Sequence, residues 1–114
     1  MHELGIVFYV IEEVEKVATK NHVNKVNSLT LEVGEVSSVV PEYFVDAYNW
    51  AIKKTKYMQD CKLNLVILEG ISYCKDCKKT FKTTTNGKIC PHCHSENTYL
   101  VSGSEINIKD IQVE

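Results

Sequence analysis

Cys74-Lys75-Asp76-Cys77 and Cys90-Pro91-His92-Cys93, with twelve residues between them, decide how this chain is read. Each C-x2-C pair bends into a knuckle whose two sulfurs reach one tetrahedral ion, and two pairs at this spacing are the pattern of a zinc ribbon. Residues 71–103 hold few aliphatic side chains and five lysines, so this segment cannot close a core of its own. Bound metal supplies what burial cannot; structural zinc is worth on the order of 10 kcal/mol. Midway lies Thr83-Thr84-Thr85-Asn86-Gly87, where the Asn-Gly step predicts a hairpin turn that carries the second pair back over the first. Four cysteines close the coordination sphere, which makes the site structural. His92 and His94 flank Cys93, and an imidazole that displaced a thiolate would make the coordination sensitive to pH. Both are candidate modulators, His94 ahead of His92.

Outside this module the pattern is that of an ordinary core. Leu4, Val7, Phe8, Ile11, Val14 and Ala18 recur every three or four residues, predicting an amphipathic helix over 4–18. Leu29, Leu31 and Val33 alternate with polar residues, predicting a first strand over 25–33. Pro41-Glu42 suits the first turn of a second helix whose buried face carries Phe44, Ala47, Tyr48 and Ala51 and whose end carries Lys53, Lys54 and Lys56. The second strand, Leu63 to Leu68, is apolar on both faces and is expected centrally in the sheet. The last strand changes parity between Ile106/Ile108 and Ile111/Val113, which a β-bulge at Lys109-Asp110 would accommodate. The expected fold class is therefore α+β, with two helices on a three-stranded sheet (1–70 and 104–114) and an inserted zinc-ribbon module (71–103).

Composition narrows the function. With 114 residues, 44% hydrophobic and 25% charged, the chain is a small globular protein, and no apolar run approaches the roughly 18 to 20 residues of a bilayer span. The start, Met1-His2-Glu3-Leu4, lacks a basic signal region, so a cytoplasmic protein is expected. In a reducing compartment, paired cysteines argue for metal rather than disulfides, and lone Cys61 reads as a small buried side chain. All thirteen basic residues are lysine, which removes the commonest tool of base reading. A ribbon that binds nucleic acid through Lys75, Lys78, Lys79, Lys82 and Lys88 is the main rival reading, but these oppose Asp76, Glu96 and the net charge of a zinc tetrathiolate. A hydrolytic metalloenzyme would need an open zinc position and a positioned base, and no His-Glu-x-x-His pair occurs.

His2 stands where its imidazole, its own backbone amide and the α-amine of Met1 fall in one short chelating loop. Nitrogen donors in a square plane suit Ni(II) or Cu(II) better than zinc.

Met1-His2-Glu3 opening a helix, Val33-Gly34-Glu35-Val36-Ser37 followed by Val40-Pro41-Glu42, the two knuckles, and Ser102-Gly103 before a strand ending Ile111-Gln112-Val113-Glu114 together resemble the HypA family, which includes HybF. The resemblance implies a nickel metallochaperone for protein maturation rather than an enzyme, with [NiFe]-hydrogenase as destination and urease as a second one. It implies nickel on the Met1 amine, the ring and backbone nitrogens of His2 and the backbone nitrogen of Glu3, and zinc on Cys74, Cys77, Cys90 and Cys93. The Glu3 side chain is not an implied ligand; starting the helix or steering a partner are the roles its position suggests. Implied partners are a HypB-type nickel-binding GTPase, the hydrogenase large-subunit precursor and urease maturation proteins, with no nucleic acid and no membrane span; relatives occur as monomers and homodimers. Unlike some relatives, the chain has Lys78-Lys79 and no histidine after the first knuckle.

Overall fold

The computed structural model describes residues 3–114. In chain order the elements are helix α1 (Glu3–Lys20), strand β1 (Val26–Gly34), helix α2 (Pro41–Ala51), a 3₁₀ turn (Ile52–Lys54), β2 (Lys62–Leu68), β3 (Ile71–Cys74), β4 (Thr80–Lys82), the single helical turn α3 (Thr83–Asn86), β5 (Thr98–Ser102) and β6 (Ile106–Val113). Two three-stranded sheets result, ordered β2-β1-β6 and β4-β3-β5. Two compact units divide the described residues: 3–32, Val39–Val66 and Asn107–Glu114 in the first, Val33–Ser38 and Ile67–Ile106 in the second. The mixed α+β architecture expected from the sequence is the one found.

In the first unit, α1 buries Val7, Val10, Ile11, Val14 and Ala18. Phe8, expected on this face, is instead half exposed and meets the edge of Trp50 on α2, ring centroids 6.4 Å apart. Val10 takes the buried place. Helix α2 begins with Pro41 at its first position and buries Phe44, Tyr48 and Ala51. It stops at Ala51, so Lys53 and Lys54 fall in the 3₁₀ turn and Lys56 beyond it, not on the end of an α-helix. The loop that follows is fixed from α1, where the Glu15 carboxylate accepts the backbone N–H groups of Lys56 and Tyr57 at 3.0 and 3.1 Å.

Strand β1, not β2, is central. Val26, Leu29, Leu31 and Val33 are buried along it, whereas β2 is an edge strand on which Val66 and Ile67 remain exposed. A strand apolar on both faces need not be covered on both: along β2, Leu63, Leu65 and Leu68 are only half-buried and no residue is fully buried. The backbone N–H of Val26 reaches Tyr57 O and that of Glu35 reaches Leu68 O, so β1 and β2 run the same way with α2 as the crossover. β6 returns antiparallel to β1, with Glu114 N–H on Lys25 O and Gly34 N–H on Glu105 O. Of its alternating apolar residues, Ile106 and Ile111 are half-buried, whereas Ile108 and Val113 are exposed.

In the second unit, β3 pairs antiparallel with β4 (Ser72 opposite Phe81) and with β5 (Tyr73 opposite Tyr99). The expected Asn-Gly hairpin is absent. Thr83–Asn86 forms one helical turn instead, and Gly87, at φ 61°, ends it with its N–H on Thr83 O at 2.7 Å. A residue free to take positive φ serves a helix end as readily as a hairpin. The β3–β4 connection is made by the first knuckle itself. Chain crossings at Gly34 and Gly103 are too close for side chains: a Cβ on Gly34 would collide with the Gly103 carbonyl, and one on Gly103 with the Gly70 backbone. Val36 N–H on Gly103 O at 2.8 Å ties residues 33–38 into this unit.

The two knuckles share one backbone design. Lys78 N–H bonds Cys74 O at 2.9 Å, and His94 N–H bonds Cys90 O at 2.8 Å. Cys74 N–H then bonds Lys79 O, and Cys90 N–H bonds Ser95 O, both at 2.9 Å. Lys78 and His94 both sit at φ 62°, a left-handed conformation that costs an ordinary L-residue about 1 to 2 kcal/mol.

Two predictions follow from this packing. Replacing Lys78 or His94 by glycine is expected to raise thermal stability of the zinc-loaded protein by about 1 kcal/mol each; a loss at both positions would show that side-chain contacts outweigh the backbone strain. Tyr48 is fully buried and donates its hydroxyl to Cys61 O at 3.1 Å. Burial first, then its interactions with Cys61, push its phenol above the usual range. The folded state thus holds that proton more tightly than the unfolded chain, so the stabilisation is complete below about pH 10 and is lost as pH rises beyond it. Tyr48→Phe is expected to cost about 1 kcal/mol at neutral pH and to flatten the alkaline fall in melting temperature, and an equally steep fall in the variant would assign it to other groups.

Candidate metal centres

The first knuckle joins β3 to β4 and the second lies between α3 and β5, and together they bring Cys74, Cys77, Cys90 and Cys93 to one point. Their sulfurs all lie within 4.8 Å of one another, with Cys74 and Cys93 at 3.5 Å and Cys77 and Cys90 at 3.6 Å. A tetrahedral ion with metal–sulfur bonds of about 2.3 Å sets its ligands roughly 3.8 Å apart. The cluster therefore fits a structural zinc ion, and the soft four-sulfur donor set agrees with that metal. Cys74 and Cys90 are fully buried, Cys77 is half-buried and Cys93 exposed, and Phe81 packs behind them.

Thiols this close cannot all ionise unaided. Backbone N–H donation from Cys77, ahead of that from Asp76, holds the Cys74 thiol down to about 7, and burial pushes the Cys77 thiol up. At Cys93, donation from the Ser95 N–H is outweighed by burial and by the other three sulfurs, and the thiol is pushed up to about 12. A divalent cation reverses this by making every thiolate favourable.

His92 and His94 are exposed, and neither belongs to the sulfur cluster. The left-handed backbone at His94 serves the knuckle, and the His92 backbone N–H donates to Cys90 Sγ at 3.4 Å. Sequence reasoning passed over Asp76, whose carboxylate accepts from the Ser95 hydroxyl and from Asn97 Nδ2 across the two knuckles. These two donors, Ser95 first, hold its carboxyl below the usual range. The signal was present as an acid inside one C-x2-C and a serine two residues past the other.

The remaining candidate residues are placed as follows. Met1 and His2, expected to carry nickel, lie outside the described residues. Glu3 is within them, only 4% exposed, and its Oε2 accepts the Val40 backbone N–H at 3.1 Å. A carboxylate so buried is not on the surface to steer a partner; it anchors the start of α1 and caps α2, whose own N-cap residue, Val40, has no capping side chain. Cys61 is buried as expected, its thiol pushed up by burial. Of the five module lysines, Lys82 pairs with Glu69 at 3.4 Å, and Lys75 lies over the Tyr99 ring at 5.5 Å.

Comparison with known proteins agrees with this arrangement. The family model described as "Hydrogenase/urease nickel incorporation, metallochaperone, hypA" matches residues 1–113. A hydrogenase maturation factor HypA from Actinobacillus succinogenes is 36% identical over 114 residues, covering all of both chains. Its counterpart from Aeromonas salmonicida is 32% identical over 113 residues, 99% of each. Among solved structures, the Ni metallochaperone HypA from Helicobacter pylori superposes with a TM-score of 0.74 at 28% identity, over 99% of this chain and 97% of that one. With the family model matched over residues 1–113 and a 36% identical relative covered over the whole of both chains, the chain belongs to the HypA family of nickel-incorporation metallochaperones.

Proposed function

We propose that this protein receives Ni(II) as cargo and passes it on for maturation of [NiFe]-hydrogenase, with urease as a second destination. The observation that carries this reading is the match of the nickel-incorporation family model to residues 1–113. No bond in a substrate is made or broken, so the protein is a carrier and not an enzyme.

The nickel ligands are the Met1 amine, the ring and backbone nitrogens of His2 and the backbone nitrogen of Glu3. Support comes from the donor set, which suits a square plane, and from the Glu3 carboxylate, whose bond to Val40 fixes the chain at the third residue. Zinc is held by Cys74, Cys77, Cys90 and Cys93, and once bound it cross-links the two knuckles. Residues 1–70 and 104–114 serve as the nickel domain and 71–103 as the zinc ribbon.

The partners are a HypB-type GTPase, the hydrogenase large-subunit precursor and urease maturation proteins. Exposed Phe8, Tyr9, Tyr43 and Trp50 on the two long helices support docking of a protein on the nickel domain. The place of work is the cytoplasm, where the maturation partners are assigned; among the described residues no helix is long and apolar enough to cross a membrane.

Two measurements test these assignments. Calorimetric Ni(II) titration of the zinc-loaded protein is expected to show one site that is lost both in His2→Ala and on adding a residue before Met1, with zinc and fold retained. Unchanged nickel binding in both variants would place the cargo elsewhere. Stripping the zinc with a chelator, or Cys77→Ser, is expected to abolish amide protection in β3, β4 and β5 while α1 and α2 keep theirs, since the ion stands in for a core on the order of 10 kcal/mol. Protection that survives in β3 would mean the ribbon folds without metal.

A further inference from the structure

We propose that Asp76 is the positioning residue of the four-cysteine centre, its carboxylate clasping the two knuckles together and thereby setting how long the ion is kept. The inference rests on the zinc ligand assignment above. Each knuckle is closed internally by its own backbone bonds, Lys78 N–H to Cys74 O and His94 N–H to Cys90 O. Those bonds fix two sulfurs relative to each other within a pair. They say nothing of the distance between pairs, which a tetrahedral ion needs set just as closely.

Beside the backbone pairing that sets Cys74 opposite Thr98, a side-chain link between the pairs runs through Asp76. It lies between the two ligands of the first knuckle, and its carboxylate accepts from Ser95 Oγ, the second residue after the last ligand, and from Asn97 Nδ2 at 3.3 Å. Ser95 is itself fixed to the second knuckle, since its carbonyl accepts the Cys90 N–H at 2.9 Å. Its hydroxyl oxygen also accepts the Asn97 N–H at 3.0 Å, and Asn97 O takes the Lys75 N–H at 3.0 Å. Asp76, Ser95 and Asn97 thus close a ring of hydrogen bonds from one knuckle to the other. The bonds to the carboxylate are charge-assisted, the stronger kind. A carboxylate beside a metal tetrathiolate adds negative charge to negative charge, so its place there is explained by the donors it gathers rather than by attraction to the sulfurs. Partners outside the ligand set that fix ligand geometry commonly change metal affinity by about 10- to 100-fold.

The test is the rate of zinc transfer from the full chain to an excess of a chromogenic chelator. Wild type is measured first for one zinc per chain and, with Co(II) in its place, for the absorption of a four-thiolate tetrahedral site. Failure there overturns the ligand assignment itself. Given that baseline, Asp76→Ala is expected to speed zinc release about 10-fold and to shift the Co(II) ligand-field bands. Asp76→Asn, which keeps a carbonyl acceptor for Ser95, is expected to fall between. Ser95→Ala is expected to act in the same direction as Asp76→Ala, and the double variant to be no faster than the faster single. Should Asp76→Ala fail to fold, Ser95→Ala and Asp76→Asn carry the test. Wild-type release rates and Co(II) bands in these variants, or effects that simply multiply in the double variant, would overturn the clasp.

Discussion

Closure of four sulfurs around one point is the constraint on which the second unit depends. Its buried apolar cluster consists of Cys74, Phe81 and Cys90, with Cys77 packed against it, so three of the four members are also the metal ligands. Burial and coordination are thus one interaction seen from two sides, and no separate core would remain to hold the strands if the sulfurs parted. The same closure explains why the chain tolerates two non-glycine residues in left-handed backbone. Lys78 and His94 each cost about 1 to 2 kcal/mol there, which is small against the on-the-order-of 10 kcal/mol that zinc contributes.

The first unit is built on the opposite plan, around a conventional apolar core with one polar exception. Glu3 is buried at the start of α1 and reaches the N-terminus of α2. Helix N-termini carry unpaired N–H groups and partial positive charge, so one carboxylate here lies close to two such ends. Pro41 at the first position of α2 has no N–H to offer, and Val40 cannot cap with its own side chain. The cap therefore comes from a residue 37 positions earlier. Any change at Glu3 would disturb both helix starts together, and with them the residue whose backbone nitrogen is a proposed nickel ligand.

Local patterns in the sequence predicted what local physics determines. The spacing of the cysteine pairs led to the sulfur cluster, the period of α1 and the Pro41-Glu42 start of α2 led to the helices, and alternation along Leu29, Leu31 and Val33 led to a buried strand. What failed to be legible was decided at a distance. The order of strands placed β1 at the centre because α2 crosses over to set β2 on its flank, a fact that the apolar content of β2 does not carry. Asn86-Gly87 has the composition of a hairpin turn, but Asn86 bonds back to Lys82 O and completes a helical turn. The partners of Glu3, Glu15 and Asp76 lie 19 or more residues away, and no periodicity reports such pairs.

The two metals assigned to this chain make opposite demands, and donor chemistry alone does not keep them apart. Nickel stands close to zinc in the order of divalent affinities, and thiolates do not refuse it. A loose set of four cysteines would therefore compete with the terminal nitrogens for the cargo. What distinguishes the ions is geometry: zinc accepts a tetrahedron without electronic cost, whereas Ni(II) with strong donors favours a plane. Sulfurs held at tetrahedral separation by two strained knuckles and a carboxylate between them favour zinc by shape. Rigidity at the cysteine centre would then serve delivery from the proposed terminal site, because a cargo ion can be handed on only if no deeper site in the same chain captures it first.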